Sequence, residues 1–186
     1  AATGNAPNDL WVDAARGRAW VANSMDNAVT AYDLATLAPV AAVALGPNSN
    51  PWNLAPAPNG RLLVTNWLAG DVAEIDAAAG ALLQRIPVGR TPEGILAGSS
   101  ATFLRVTLVN YDEATHRFGP GQVFTYCPVC QREPAPLVTV GTNPQTLLTG
   151  PDGRIHVVCT GNFGGYEPAE WGQVRVLDWP TLGQQD

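Results

Sequence analysis

The chain has 186 residues, enough to bury a sizeable core, and its 46% hydrophobic and 14% charged content excludes a disordered polymer. Ten basic residues, all arginine and spread along the chain, against sixteen acidic ones leave a net charge of -6. Duplex nucleic acid is therefore not expected as a partner, because phosphate neutralisation needs a positive patch, and no apolar run reaches the roughly 18–20 residues that span a bilayer.

In chain order, one pattern of four short strand-like runs repeats four times. The first repeat reads Pro7–Val12, Arg18–Asn23, Ala28–Asp33 and Val40–Gly46. The second reads Pro51–Leu54, Arg61–Asn66, Asp71–Asp76 and Leu82–Gly89. The third reads Pro92–Ile95, Leu104–Asn110, Gln122–Tyr126 and Pro136–Gly141, and the fourth Pro144–Leu147, Arg154–Asn162 and Gln173–Asp178. The asparagines ending the second runs are 43, 44 and 52 residues apart (23 to 66, 66 to 110, 110 to 162), and the glycines closing the fourth runs are 43 and 52 apart (46 to 89, 89 to 141). Both markers lengthen together in the third repeat, as a local insertion requires. Pro58-Asn-Gly60 and Pro151-Asp-Gly153 read as tight turns between first and second runs, with glycine supplying positive φ. A period near 43 with four strands predicts an all-β fold, a β-propeller of four-stranded antiparallel blades. The blades fall at about 5–46, 47–89, 90–141 and 142–186, with residues 1–4 as the tail of a preceding fourth strand and the whole chain as one propeller region.

The strings Trp20-Val-Ala-Asn23 and Leu63-Val-Thr-Asn66, and the Val-Gly-x-x-Pro joints at 88–92 and 140–144, resemble the YVTN-type propeller repeat. The resemblance covers nearly the whole chain. It implies a ring that is typically seven-bladed, and two readings of the four blades stay open: a sector of such a ring, completed by further blades or by another subunit, or a ring that closes on itself with residues 1–4 pairing into the last blade. It also implies a periplasmic or extracellular scaffold, or a relative of lactonases and quinoprotein-type dehydrogenase subunits.

Propeller geometry, carried over with that resemblance, puts the residues after each joint proline at the channel mouth: Asn8, Asp9, Trp52, Asn53, Glu93 and Gln145. The same face carries the connections between second and third strands. Those of the first two repeats are short, whereas the third inserts Tyr111–Phe118 and the fourth Phe163–Trp171. Long loops on a rigid scaffold are where binding residues concentrate. Tyr111, His116, Phe118, Phe163, Tyr166 and Trp171 are the candidate contacts for a protein partner. The competing reading has these rings folded back over their own blades.

Cys127-Pro-Val-Cys130 lacks the histidine of a haem-attachment motif, since Gln131 follows. Only Cys159, His116 and His156 remain to complete a zinc site, so neither metal nor cofactor is expected. In an oxidising compartment the pair is a local disulfide. Cys159, within the apolar Val157-Val-Cys-Thr160, reads as a buried small hydrophobe, and His156 should face away from Ile155 and Val157. Asp33, Asp76 and Asp178 recur at one repeat position and read as turn formers. No nucleophile stands beside an activating base, so the expectation leans to a non-catalytic binding module, with an enzyme acting at the channel mouth as the alternative.

Overall fold

The structure, a computed structural model, describes residues 2–98, 103–127, 134–162 and 171–178. The chain divides into two compact units, 1–88 and 89–186.

The first unit holds two four-stranded antiparallel sheets. One contains β1 (Pro7–Asp13), β2 (Arg18–Asn23), β3 (Ala28–Asp33) and β4 (Pro39–Ala44); the other contains β5 (Pro51–Ala57), β6 (Arg61–Asn66), β7 (Asp71–Asp76) and β8 (Ala81–Pro87). In both, spatial order follows chain order, so each strand pairs with its sequence neighbour. Innermost strands β1 and β5 lie against one another. Alternation then decides the core. From the first blade Trp20, Ala22, Val29, Ala31 and Val43 meet Leu54, Leu62, Val64, Ala73 and Ile75 of the second, and all are buried.

The second unit repeats the plan. Its first blade runs β9 (Pro92–Ala97), β10 (Leu104–Leu108), a two-stranded hairpin of β11 (Tyr111–Asp112) and β12 (Arg117–Phe118), then β13 (Pro120–Tyr126) and β14 (Val138–Thr142). The last blade shows β15 (Pro144–Thr149), β16 (Ile155–Cys159) and β17 (Gln173–Leu177) among the described residues. β15 lies against β9, and Val123 and Val140 pack with Leu147, Ile155, Val157, Cys159 and Leu177. Residues 2–4 belong to no strand, and Gly4 sits against Asn23 and Asp26 of the first blade.

Each blade starts with the same joint. The residue before the strand-opening proline has left-handed backbone: Ala6 (φ 49°), Asn50 (51°), Thr91 (49°) and Asn143 (53°). Its carbonyl accepts the N–H of the residue just past the second strand, from Ser24, Trp67, Val109 and Thr160, at 2.9–3.1 Å. Asparagine tolerates this conformation at little cost, whereas the β-branched Thr91 holds it against its own steric preference.

The pairing corrects the repeat alignment read from the sequence. The opening prolines Pro7, Pro51, Pro92 and Pro144 pair with Asn23, Asn66, Leu108 and Cys159. Asn110 and Asn162 therefore lie beyond their strands, and the position is fixed by the joint rather than by asparagine. The turn assignments hold for two of the three aspartates: Asp33 Oδ1 accepts the N–H groups of Ala35 (3.0 Å) and Thr36 (2.8 Å), and Asp76 Oδ1 those of Ala78 (2.9 Å) and Ala79 (3.0 Å), while the residues after Asp178 lie outside the described ones. Bonds from the Thr36 and Ala79 amides lead in holding these two carboxyls below the usual range.

Candidate functional site

In the first unit the channel-mouth residues converge on one structural task. Asp9 leaves β1 half-buried and places Oδ2 2.7 Å from the Leu54 N–H of β5, with Asn53 Nδ2 at 3.4 Å, while Oδ1 accepts Leu10 N–H at 2.8 Å. Leu54 follows a register shift in the β5–β6 ladder, and the Asp9 carboxylate takes up its amide. Asn8 donates to the Ser24 hydroxyl, which donates to the Pro51 carbonyl. These bonds tie the innermost strands of neighbouring blades together.

Trp52 stands half-buried on the same joint, its ring 6.2 Å from that of Trp67 at 33°. Trp67, directly after Asn66, does not stand out in the repeat pattern. Its only sequence signal is an aromatic in a connection kept short.

In the second unit Glu93 is buried and Gln145 half-buried. Gly94 N–H donates to Thr107 Oγ1 at 2.7 Å, and a Cβ on Gly94 would come within 2.5 Å of the Gln145 carbonyl oxygen. The two innermost strands approach too closely here for any side chain.

The third-blade insertion is an ordered projection. Tyr111 pairs with Phe118 and Asp112 with Arg117 across β11 and β12. The Tyr111 and Phe118 rings pack at 5.0 Å and 52°, and Tyr111 Oη lies 3.1 Å from His116 Nδ1. Both rings are half-buried, whereas His116 is exposed at the tip with φ 53°. Asp112 Oδ1 accepts the Ala114 N–H at 2.9 Å, the main cause of its lowered pKa. Two anchors fix the base. Thr91 Oγ1 accepts the Tyr111 N–H at 3.2 Å, and Asn162 of the next blade accepts from Phe118 N and donates to Phe118 O, both at 2.9 Å. Asn162, just past the second strand of the last blade, thus acts as a bidentate clasp on the base of the third-blade hairpin.

Of the fourth-blade candidates, Phe163 and Tyr166 lie outside the described residues. Trp171 is 89% exposed. Cys127 is disulfide-bonded, while its expected partner Cys130 lies outside the described residues. Cys159 is a free thiol on the blade-to-blade core, and burial pushes its pKa up. His156 faces away from buried Ile155 and Val157, with Nε2 3.6 Å from Asp152 Oδ1. Among the described residues no group of three or more His, Cys, Asp and Glu could hold a metal ion, and no helix is long and apolar enough to cross a membrane.

No family model and no curated protein matches the chain. Solved structures do. Hydrazine synthase of Kuenenia stuttgartiensis aligns at TM-score 0.77 and 17% identity over 97% of this chain and 48% of its own. A putative 6-phosphogluconolactonase from Bacteroides uniformis aligns at 0.68 and 14%, over 97% and 60%. Virginiamycin B lyase from Staphylococcus aureus aligns at 0.62 and 14%, over 94% and 56%. The chain spans about half the length of these structures, and at such identities the likeness speaks to architecture alone: the sheets are the blades of a β-propeller.

Proposed function

We propose that this chain is a non-catalytic propeller scaffold of YVTN type that binds a protein partner through the connections at 111–118 and 163–171, in a periplasmic or extracellular setting. One observation carries the reading. The Tyr111–Phe118 hairpin is an ordered projection clasped by Asn162, at the strand-two end of the blade next to the one that bears the 89% exposed Trp171. Rigid aromatics presented at low entropic cost are what hot spots are made of. The disulfide at Cys127 supports an oxidising compartment. The test replaces 111–118 by a short turn copied from the second blade, and separately Trp171 by alanine. Retention of partner on immobilised protein is then compared with wild type at unchanged melting temperature. Loss of binding in both variants is expected; full retention in both refutes the reading.

A second reading is an enzyme acting at the channel mouth, favoured by the two neighbours named as a lactonase and a lyase. In this reading Asp9 or Asn53 of the first unit, or Glu93 of the second, would carry the chemistry. A wild-type protein that hydrolyses no lactone would remove it.

A further inference from the structure

Two turns of this protein share one pattern and differ in a single group. Pro58-Asn59-Gly60-Arg61 joins β5 to β6, and Pro151-Asp152-Gly153-Arg154 joins β15 to β16. In the last blade the variable position is a carboxylate, whose Oδ1 accepts the Arg154 N–H at 3.1 Å and whose Oδ2 accepts from Arg154 Nε at 2.6 Å. In the second blade it is a side-chain amide. Asn59 is the only asparagine of the chain followed directly by glycine.

The turn leaves that pair open and sets a cation against it. Asn59 is exposed in the left-handed region, at φ 61° and ψ 26°. The β5–β6 ladder closes with Ala57 opposite Arg61, so no strand pairing holds Asn59. Gly60, at φ 72°, brings no side chain, and Arg16 of the first blade lies where one would stand. A Cβ on Gly60 would come within 2.5 Å of Arg16 Nη2 and 3.4 Å of its Cζ. Asp13 fixes this guanidinium through Nη1 at 2.9 Å. The nearby Arg61 is engaged elsewhere, by Asp76 at 3.2 Å and Glu74 at 3.6 Å.

We propose that Asn59 is a self-modification site, at which Arg16 promotes conversion of the side-chain amide to a carboxylate. The Gly60 nitrogen gives its proton to solvent and attacks Asn59 Cγ. A new C–N bond closes a succinimide ring, and the side-chain nitrogen departs as ammonia. Water then opens the ring at either carbonyl, leaving aspartate or isoaspartate, and nothing is oxidised or reduced. Glycine leaves the attacking nitrogen unshielded and its backbone free to turn. A fixed positive charge favours the anionic form of a neighbouring group, so Arg16 eases loss of the Gly60 amide proton. The same guanidinium then faces the new carboxylate. Asp152 supports the outcome, because its turn already carries an acid at this position. The result is one further negative charge on a chain of net charge -6, at the strand ends away from the joint. The site lies in the first unit and does not rest on partner binding through 111–118 and 163–171 in the second.

The test incubates the 186-residue chain at mildly alkaline pH and follows it by isoelectric focusing and peptide mass spectrometry. A more acidic species should accumulate with its change confined to the peptide that holds Asn59, and should focus with Asn59→Asp. Arg16→Gln should convert several-fold more slowly, Arg16→Lys near the wild-type rate, and all three at one rate in urea. A merely structural role for Arg16 predicts the reverse, since a loosened turn converts faster. If Arg16→Gln loses its β-sheet spectrum, wild type at raised salt takes its place, because salt screens the guanidinium and should slow the native reaction only. A wild-type chain that keeps Asn59 intact overturns the proposal. So does an Arg16→Gln chain that converts at or above the wild-type rate, or a difference between them that persists in urea.

Discussion

Replacing Asp9 by alanine should destabilise the protein while leaving its strands in place. The carboxylate receives the Leu54 N–H at 2.7 Å, and Leu54 is 9% exposed, so water cannot substitute readily once the oxygen is gone. A hydrogen bond to a charged group contributes about 1.5–3 kcal/mol, and an orphaned buried amide costs a comparable amount. The half-buried carboxylate is partly screened, which favours the lower part of that range, about 2 kcal/mol. For a chain of this size each kcal/mol moves the melting temperature by about 2–4 °C, so a drop of about 4–8 °C is expected. Asp9→Asn keeps an acceptor without the charge and should lose about half as much. Asn53→Ala removes only the 3.4 Å contact and should cost no more than about 0.5 kcal/mol. The assay is urea unfolding followed by circular dichroism for wild type and the three variants. An Asp9→Ala protein within about 0.5 kcal/mol of wild type would refute the clamp, because surface changes fall in that band.

Two further outcomes follow from charge and redox state. Asp152 accepts from Arg154 Nε at 2.6 Å and from its backbone N–H at 3.1 Å, which hold its carboxyl at about 2 against an ordinary 3.8. A depressed acid stabilises the fold above its unfolded value, and that contribution disappears as pH falls from 3.8 towards 2. Denaturant midpoints of wild type and Asp152→Asn should therefore differ above that window and converge below it; parallel profiles contradict the pairing. Thiol titration should find one reactive thiol among the three cysteines, Cys159, and only after unfolding without reductant, since that side chain is 1% exposed and Cys127 is bonded. Three thiols, or rapid labelling of native protein, would contradict it.

Strand content was legible because alternation survives wherever one face is buried. Arg18–Asn23, Ala28–Asp33, Arg61–Asn66 and Asp71–Asp76 appear at the bounds their patterns suggest. The buried Cys159 and the outward His156 followed from the same alternation. Register in the last two blades was not legible. Asn110 and Asn162 imitate the repeat asparagine, while the position itself is set by a backbone bond to the joint residue and is filled by Leu108 and Cys159. The hairpin inside the third insertion leaves no trace in the sequence pattern because its strands are two residues long, too short to show a period. Neither the Asp9 clamp nor the Asn162 clasp could be read from local sequence. Their partners lie 44–45 residues away, and only the stacking of blades brings them within reach.

The strictly sequential strand order within each sheet bears on how the protein is made. Among the described residues no strand waits for a distant partner before it can pair, so a blade can form as soon as its own stretch has left the ribosome. Loop closure stays short, which keeps the search for native pairing fast for an all-β chain. Damage stays local for the same reason. Within each unit two blades share one joint, so a substitution that melts a blade weakens that joint first.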